Sequence, residues 1–535
     1  MAQPTENARS YTLPAPVGGW NTRDPLVSMP ETDAIVMDNV IPQSAYCRAR
    51  SGFFEHCDLG SGTVHTLCTL SNASGSEFLV GVCGADIFNA TSFGAPSSIK
   101  GGATVTSNVP WQSVTFRNIL FMVNGTDLPL KWTGSGNVAV AVDATSSTSW
   151  FNGSGLTASN LINVSCYKRR LYFVEKNSFK VWYSEAVDNT AGDLVSFNLS
   201  SIFSLGGKLL YAGPTSTSSS RDVSAELMVF VSSQGEVVVY AGDNPLSTTW
   251  EIVGHYYLGK AIGVRCGFLV GGDLHLITYD GVIPLSQLLA GVDITNDYQT
   301  LSGKIKPTFV ESAVSYGENQ TWMGHYFASG PYAVVNVPIQ DYGNAYQFVF
   351  NTVTKAWCRW TNLNAHSWAS LRLSGAITLV FGSSADGKIY KVDDQQFLQW
   401  DDGGAPVPID VQHAYSYLGV PQRDKIIQYI QPMFFISQNH IQNAGEDFNI
   451  GPLFDYDEID LTSSLPLYNL PVADLIAPTA GVNTRPILDS FGSGDHVSIR
   501  YAANLRNDET FLPDKGVSFR HYATKVYFTV GSEIA

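Results

Sequence analysis

The chain has 535 residues, 44% of them hydrophobic and only 15% charged, with 48 glycines, 25 prolines and 12% aromatic residues. That balance excludes a disordered chain and points to many short strands joined by tight turns. Lys and Arg number 31 against 47 Asp and Glu, a net charge of -16, which excludes chain-wide attraction to nucleic acid, since such binding rests on neutralising phosphates.

The N-terminus lacks the charged-then-apolar pattern of a signal peptide, and no apolar run approaches the roughly 20 residues that cross a bilayer. The first informative stretch is "PVGGWNTRDPLVSMPETDAIVMDNVIP", Pro16 to Pro42. It holds turn residues, a stiff aromatic in Trp20, the pair Arg23 and Asp24, and a short helix-like patch from Pro30 to Asn39. Pro30 and Glu31 suit a first helical turn, while Ile35, Met37 and Val40 supply one apolar side. The stretch has no core of its own, so residues 1–59 read as an arm with a short helix. The alternative is an N-terminal strand packed on the chain's own repeat domain.

A pattern then recurs of an apolar strand, a polar turn and a second apolar strand carrying an aromatic. It starts at Ser76, Arg117, Arg169, Ala225, Gly272, Ala345 and Ala376. Most starts lie roughly 40 to 55 residues apart, the span of a four-stranded propeller blade. A longer gap precedes Ala345 and a shorter one follows it. Hairpins of this kind cannot bury both faces alone, and radial stacking gives them one continuous core. Residues 60–400 are therefore expected to form a β-propeller of about six blades, six or seven fitting between about Gly60 and Asp394, with a pair of irregular sandwiches as the alternative. A short helix is expected near Pro284 to Ala290, "PLSQLLA".

"QWDDGGAPVP", Gln399 to Pro408, reads as a linker. Strands follow in "PIDVQHAYSYLG", "KIIQYIQPMFFIS", "HVSIRYAAN" and "GVSFRHYATKVYFTVG", with a Pro-rich, strand-poor stretch from Gly451 to Asp489. Residues 401–535 thus read as a C-terminal β domain with a long loop. The fold class is mainly β: a β-propeller-like repeat domain with an N-terminal arm and a C-terminal β domain.

Chemistry is harder to find. There is no G-x-S-x-G elbow, no H-E-x-x-H, no phosphate-binding glycine loop and no metal-like pairing among the ten histidines. The seven cysteines (Cys47, Cys57, Cys68, Cys83, Cys166, Cys266 and Cys358) are scattered singly and read as free buried thiols of a reducing compartment. "SSADGKIY", Ser383 to Tyr390, has part of the Asp-box spacing of sialidase propellers, but an Asp-Gly hairpin turn accounts for it. "DYDEID", Asp455 to Asp460, lacks the glycine and distal glutamate of a calcium loop and reads as an acidic surface loop. Trp132, Trp182, Trp357 and Trp360 occupy corresponding second-strand positions, where packing between blades competes with sugar binding. No catalytic residue, cofactor or metal ligand is assigned, and the chain is not read as an enzyme.

The opening stretch has a counterpart. "GGWNTRDPLVSMPETDAIVMDNVIP" followed by "RARSGF" (Arg48 to Phe53) resembles the N-terminus of tail nozzle, or tail tubular B-type, proteins of short-tailed bacteriophages and of the related packaged-DNA stabilisation proteins. "FNTVTKAWCRW", "FGSSADGKIYKVDD" and "HAYSYLGVPQRDKIIQYIQPMF" resemble later parts of that family, while Gly60 to Tyr332 matches only in blade style. The resemblance implies a structural virion protein, assembled in the host cytoplasm into a homo-hexameric ring at the distal tail. It implies a tail adaptor and other tail proteins as partners, DNA passing without specific binding, and no membrane segment. On this reading Trp20, Asn21, Arg23, Asp24 and Ile35 are the expected contacts to a neighbouring chain. Some of the acid is expected to face the DNA channel, with the stretches around Asp401, Asp402 and "DYDEID" as candidates, the alternative being acid on the outside that aids solubility. The competing reading is a glycan-binding or glycan-cleaving propeller of the phage tail.

Overall fold

The computed structural model describes residues 8–94, 96–145, 148–217, 225–341, 343–373, 375–392, 401–436, 448–456, 468–470, 482–484, 488–505 and 519–533. They divide into two compact units. One is Glu55–Tyr346 with Leu363–Lys391; the other gathers Met1–Phe54, Gln347–Asn362 and Val392–Ala535.

Seven sets of strands follow one another along the chain from residue 64, the first five as separate sheets and the last two as parts of a larger one. Their opening strands are Val64–Ser71, Gln112–Phe116, Leu161–Tyr167, Leu209–Thr217, Gly267–Val270, Met323–Phe327 and Ala365–Leu373. Each opening strand packs on that of the next sheet, and Ala365–Leu373 packs back on Val64–Ser71. The ring is closed, a seven-bladed β-propeller. Within most blades the strands run as a simple meander; the fourth, for example, orders Leu209–Thr217, Ala225–Ser232, Glu236–Ala241 and Glu251–Tyr257. The seven hairpins legible in the sequence fall one to a blade, the upper of the two counts the spacing allowed. The long gap before Ala345 holds helices Leu285–Leu289 and Lys306–Tyr316, inserted between blades five and six. The first of these is the helix expected at "PLSQLLA"; the second was not foreseen.

Closure uses the start of the unit. Residues 55–58 run beside the strand Lys388–Val392 of blade seven. Glu55 accepts from Lys388 Nζ at 2.7 Å, and the Leu59 N–H donates to Gly387 O at 2.9 Å. Joining the two ends of the repeat array in one sheet removes the free edges a linear array would expose.

Apolar cores lie between neighbouring blades. Trp132 packs with Leu120 and Met122 of its own blade and Leu70 and Val80 of blade one, and Trp182 packs with Phe121, Phe151 and Phe173. Both tryptophans serve blade packing, as the sequence allowed. A blade covered on both faces needs no alternation, which is why "LMVFV" (Leu227 to Val231) is one buried run. Two hairpin tips, Arg117–Asn118 and Lys168–Arg169, hold positive φ at both central residues, the geometry that matches the right-handed twist of the strands they join.

The second unit has two sheets. In one, Arg520–Glu533 pairs with Arg423–Ile436 on one side and, on the other, with Arg9–Pro14 (Arg9 opposite Phe528, Pro14 opposite Ala523) and with Cys47–Ala49. In the other, Asp33–Asp38 runs antiparallel to Ala405–His413, which pairs in turn with Val497–Leu505 and, beyond it, Phe448–Phe454. Phe434, Phe519 and His521 of the first sheet meet His413 and Tyr501 of the second, with ring centroids 5.1–6.3 Å apart.

Several expectations are corrected here. The patch Pro30 to Asn39 is not helical: Asp33–Asp38 is a strand whose backbone groups are taken by Ala405–His413, and Asn39 turns the chain at φ 57°. Adjacent Ile35 and Val36 favour that extended state. Residues 8–54 are not a free arm but supply strands to both sheets of the second unit, together with residues the sequence assigned to a C-terminal domain. The presumed linker is, over its described part, a hairpin: Asp401–Asp402 pairs with the start of Ala405–His413 across Gly403 and Gly404, both at positive φ. Residues 457–467 and 471–481, within the expected long loop, lie outside the described residues. Among the described residues no helix is long and apolar enough to cross a membrane. Six cysteines are buried and Cys166 is partly so, all as free thiols.

Candidate interface segment

The family-like segment is built from two buried polar knots. In the first, Asn21 Oδ1 accepts the backbone N–H groups of Arg23 and Asp24 at 3.0 and 3.1 Å. Its Nδ2 donates to Asp24 Oδ2 and Asp33 Oδ2, each at 2.8 Å. Arg23 grips Asp24 through Nε and Nη2 at 2.8 and 3.0 Å. The "WNTRDP" turn is thus closed on itself by an asparagine-centred loop. Gly19 is required beside it: at φ +81° a Cβ would stand 2.7 Å from the Trp357 carbonyl oxygen.

Trp20 is only 5% exposed. Its Nε1 donates to Ile35 O at 3.0 Å, and its ring lies 5.9 Å from Phe348 and 5.3 Å from the Arg359 guanidinium. Arg359 makes a two-pronged pair with Asp38 at 2.8 and 2.7 Å. Burial nevertheless raises the Asp38 pKa, with the charge of Asp410 adding to it and Arg359 opposing. Asp410 in turn is held by Arg500 at 2.9 and 2.5 Å, so two arginines flank two carboxylates across adjacent strands.

The second knot centres on Arg50, which is fully buried. Nη1 and Nη2 donate to the two oxygens of Asp402 at 2.8 and 2.5 Å, Nε to Asn39 Oδ1 at 2.7 Å, and Nη2 also to Thr361 O at 3.0 Å. Asn39 Nδ2 donates to Thr361 Oγ1 and Pro408 O. Three distant stretches of chain therefore meet at one fork.

Of the five residues expected to touch another chain, Trp20 and Asn21 are buried in this chain, Arg23 and Asp24 are mostly buried in the turn, and Ile35 is half-buried. The structure brings the first four together, and Ile35 joins them through its carbonyl. What the segment does expose is the tip between them, where Val27 is 62% open. Asp402, a candidate for the channel wall, is instead buried against Arg50. Asp455 accepts the backbone N–H groups of Asp495 and His496 at 2.8 and 3.0 Å, and the rest of "DYDEID" beyond Tyr456 lies outside the described residues. Asp386 of "SSADGKIY" is a hairpin-turn residue, accepting from the Lys388 N–H and Tyr390 Oη. The decisive partners missed from sequence are Asn39, Arg50, Arg359 and Asp402; the signal for two of them was the spacing Asp-Asn-x-x-Pro followed by Arg-x-Gly.

The propeller axis is a second polar region. Arg265, just before the opening strand of blade five, reaches across to blades one and two, three blades away in either direction. Its Nη2 donates to His65 O at 2.9 Å and to Thr66 Oγ1 and Trp111 O at 3.2 Å each. From the other side Gln112 Nε2 donates to Val264 O, while its Oε1 accepts from Asn163 Nδ2 at 3.0 Å. These ties cross the propeller's own central hole.

No family model matches this chain, and no curated protein matches it in sequence. Among solved structures, YCF48 from Cyanidioschyzon merolae is 11% identical over 66% of this chain and 97% of its own, with a TM-score of 0.31. PorZ, a surface component of the type-IX secretion system of Porphyromonas gingivalis, is 8% identical over 68% of this chain and 42% of its own, with a TM-score of 0.36. BBS1N, solved with ARL6DN, is 10% identical over 45% and 73%, at 0.27. The propeller assignment rests on the closed ring of strands described above.

Proposed function

We propose that this chain is a structural subunit of a short-tailed phage tail, forming with copies of itself a ring around the DNA exit path. The observation that carries the reading is what the family-like motif does. "GGWNTRDP", "DNVIP" and "RARSGF" supply the buried knots around Asn21 and Arg50, so the resemblance falls on residues that build a rigid frame, as a scaffold subunit needs. The crossing ties of Arg265 and Gln112 favour a DNA path between copies over one through a single propeller. A heterologous contact repeated by rotation closes into a ring.

Sugar binding is less favoured. Trp132, Trp182, Trp357 and Trp360 are all at most 3% exposed, so none offers a flat face to a glycan. The test is an image of the assembled particle together with the mass of the protein in solution. A sixfold ring at the tail tip supports the proposal; single or threefold copies, or cleavage of host surface polysaccharide by the purified protein, overturn it.

A further inference from the structure

Arg265 is a buried cation whose hydrogen-bond partners among the described residues are all neutral. It is 8% exposed, and none of its hydrogen-bond partners among the described residues is a carboxylate. Its three oxygen acceptors all sit on Nη2, and two of them are peptide carbonyls. Nη1 meets only the thioether sulfur of Met323, at 3.8 Å, and Nε has no acceptor among the described residues. Dipoles orient a guanidinium but do not cancel its charge, and buried charges in proteins are as a rule paired. Burial pulls the Arg265 pKa down to about 10, the direction expected when the charged form lacks a counter-charge.

The surrounding groups deepen the imbalance. His65 lies on the opening strand of blade one and His366 on that of blade seven. Burial holds the His65 pKa down at about 4 and that of His366 well below its usual range, and the Arg265 charge pushes both further down. Burial is the larger cause of both shifts and the Arg265 charge the smaller, so neither imidazole offers a charge to Arg265. The hydroxyl of Thr66 and the amides of Gln112 and Asn163 complete a polar girdle from blades one, two and three.

We propose that the propeller axis is a binding site for a small oxyanion of the phosphate or sulfate class, with Arg265 as its charged anchor. Guanidinium N–H groups lacking an oxygen acceptor match the geometry of such an anion. Entry of the anion would neutralise the buried charge and tie blade five to blades one and two. The site belongs to the folded protomer and does not depend on the ring proposed above.

The test is a thermal-melting titration with inorganic phosphate at constant ionic strength, chloride serving as the balancing anion. Phosphate stabilises many proteins non-specifically and without saturation, so the informative signal is a rise in melting temperature that saturates by about 20 mM. It is expected in the wild type and absent in Arg265→Gln, while Arg117→Gln, at an exposed hairpin tip, keeps it. Calorimetric titration of the wild type with phosphate guards against a variant that fails to fold. No saturable heat or melting shift in the wild type, or an equal shift in Arg265→Gln, overturns the site.

Discussion

Arg50 and Arg265 are both buried, one in each unit, and the two units treat the charge in opposite ways. Arg50 faces Asp402 through two parallel bonds, with an asparagine and two carbonyls taking the remaining N–H groups. Arg500 in the same unit is likewise paired with Asp410. Arg265 has carbonyls, a hydroxyl and a sulfur, and no acid among the described residues. The sandwich-like unit is assembled from three separate stretches of chain and needs a fixed, self-neutralised fork to join them. The propeller is assembled from consecutive blades whose strands already dictate the order, so its axial cation is free to answer to a solute. A buried cation with its own acid is a fastener; one without is a receptor.

The largest effect should come from breaking the fastener. Asp402→Ala leaves Arg50 charged and unpaired in the interior, a change expected to cost about 3–5 kcal/mol. Urea unfolding should show it, and the double change Arg50→Met, Asp402→Leu should recover most of the loss. In phosphate-free buffer Arg265→Gln should cost clearly less, because no partner charge is left behind. Equal losses for the two single variants would erase the distinction between the units.

Acid tests both interiors. His65 in the propeller and His413 in the other unit are fully buried and held down at about 4, chiefly by burial, against about 6.5 in an unfolded chain. Between those values the unfolded state binds more protons, so stability is complete above pH 6.5 and falls as pH drops towards 4. The loss is on the order of 1–3 kcal/mol for each histidine. Urea midpoints measured from pH 8 to 5 should decline. His413→Phe, replacing a ring among Tyr501, Phe434 and His521, should flatten part of the decline; an unchanged slope would mean that other groups carry it.

Gly19→Ala should cost about 1–3 kcal/mol, since it puts a Cβ against the Trp357 backbone at a left-handed φ. A lowered melting temperature is the readout, and a neutral result would mean the two strands can part at little cost. The smallest effect belongs to Asp188→Asn in the propeller. Asp188 pairs with Arg117 and Arg169, both largely exposed, and such pairs contribute less than about 1 kcal/mol. A loss near that of Asp402→Ala would show that the two classes of ion pair do not differ here.

Much of the propeller was legible because its information is local. Each blade writes its own hairpin, and all seven hairpins are visible as apolar runs cut by turn residues. Even the long gap before Ala345 had a local cause, the helices between Leu285 and Tyr316. The C-terminal strands were legible for the same reason. The N-terminal segment was misread because "PETDAIVMDN" carries signals for both states: Pro30 and Glu31 suit a helix start, while Ile35 and Val36 suit a strand.

The sequence by itself determined that the chain is mainly β and that its middle is a repeat array. It also marked Asn39 and Arg50 as members of a motif, without saying what they hold. Only the tertiary structure decided that residues 9–50 are woven into both sheets of the second unit, that Asp402 is an internal counter-ion, and that Arg265 reaches across the axis. The reason is range. A hairpin is decided by residues a few positions apart, whereas Arg50 and Asp402 are 352 positions apart, and a pairing at that distance leaves no periodicity in the sequence from which it could be read.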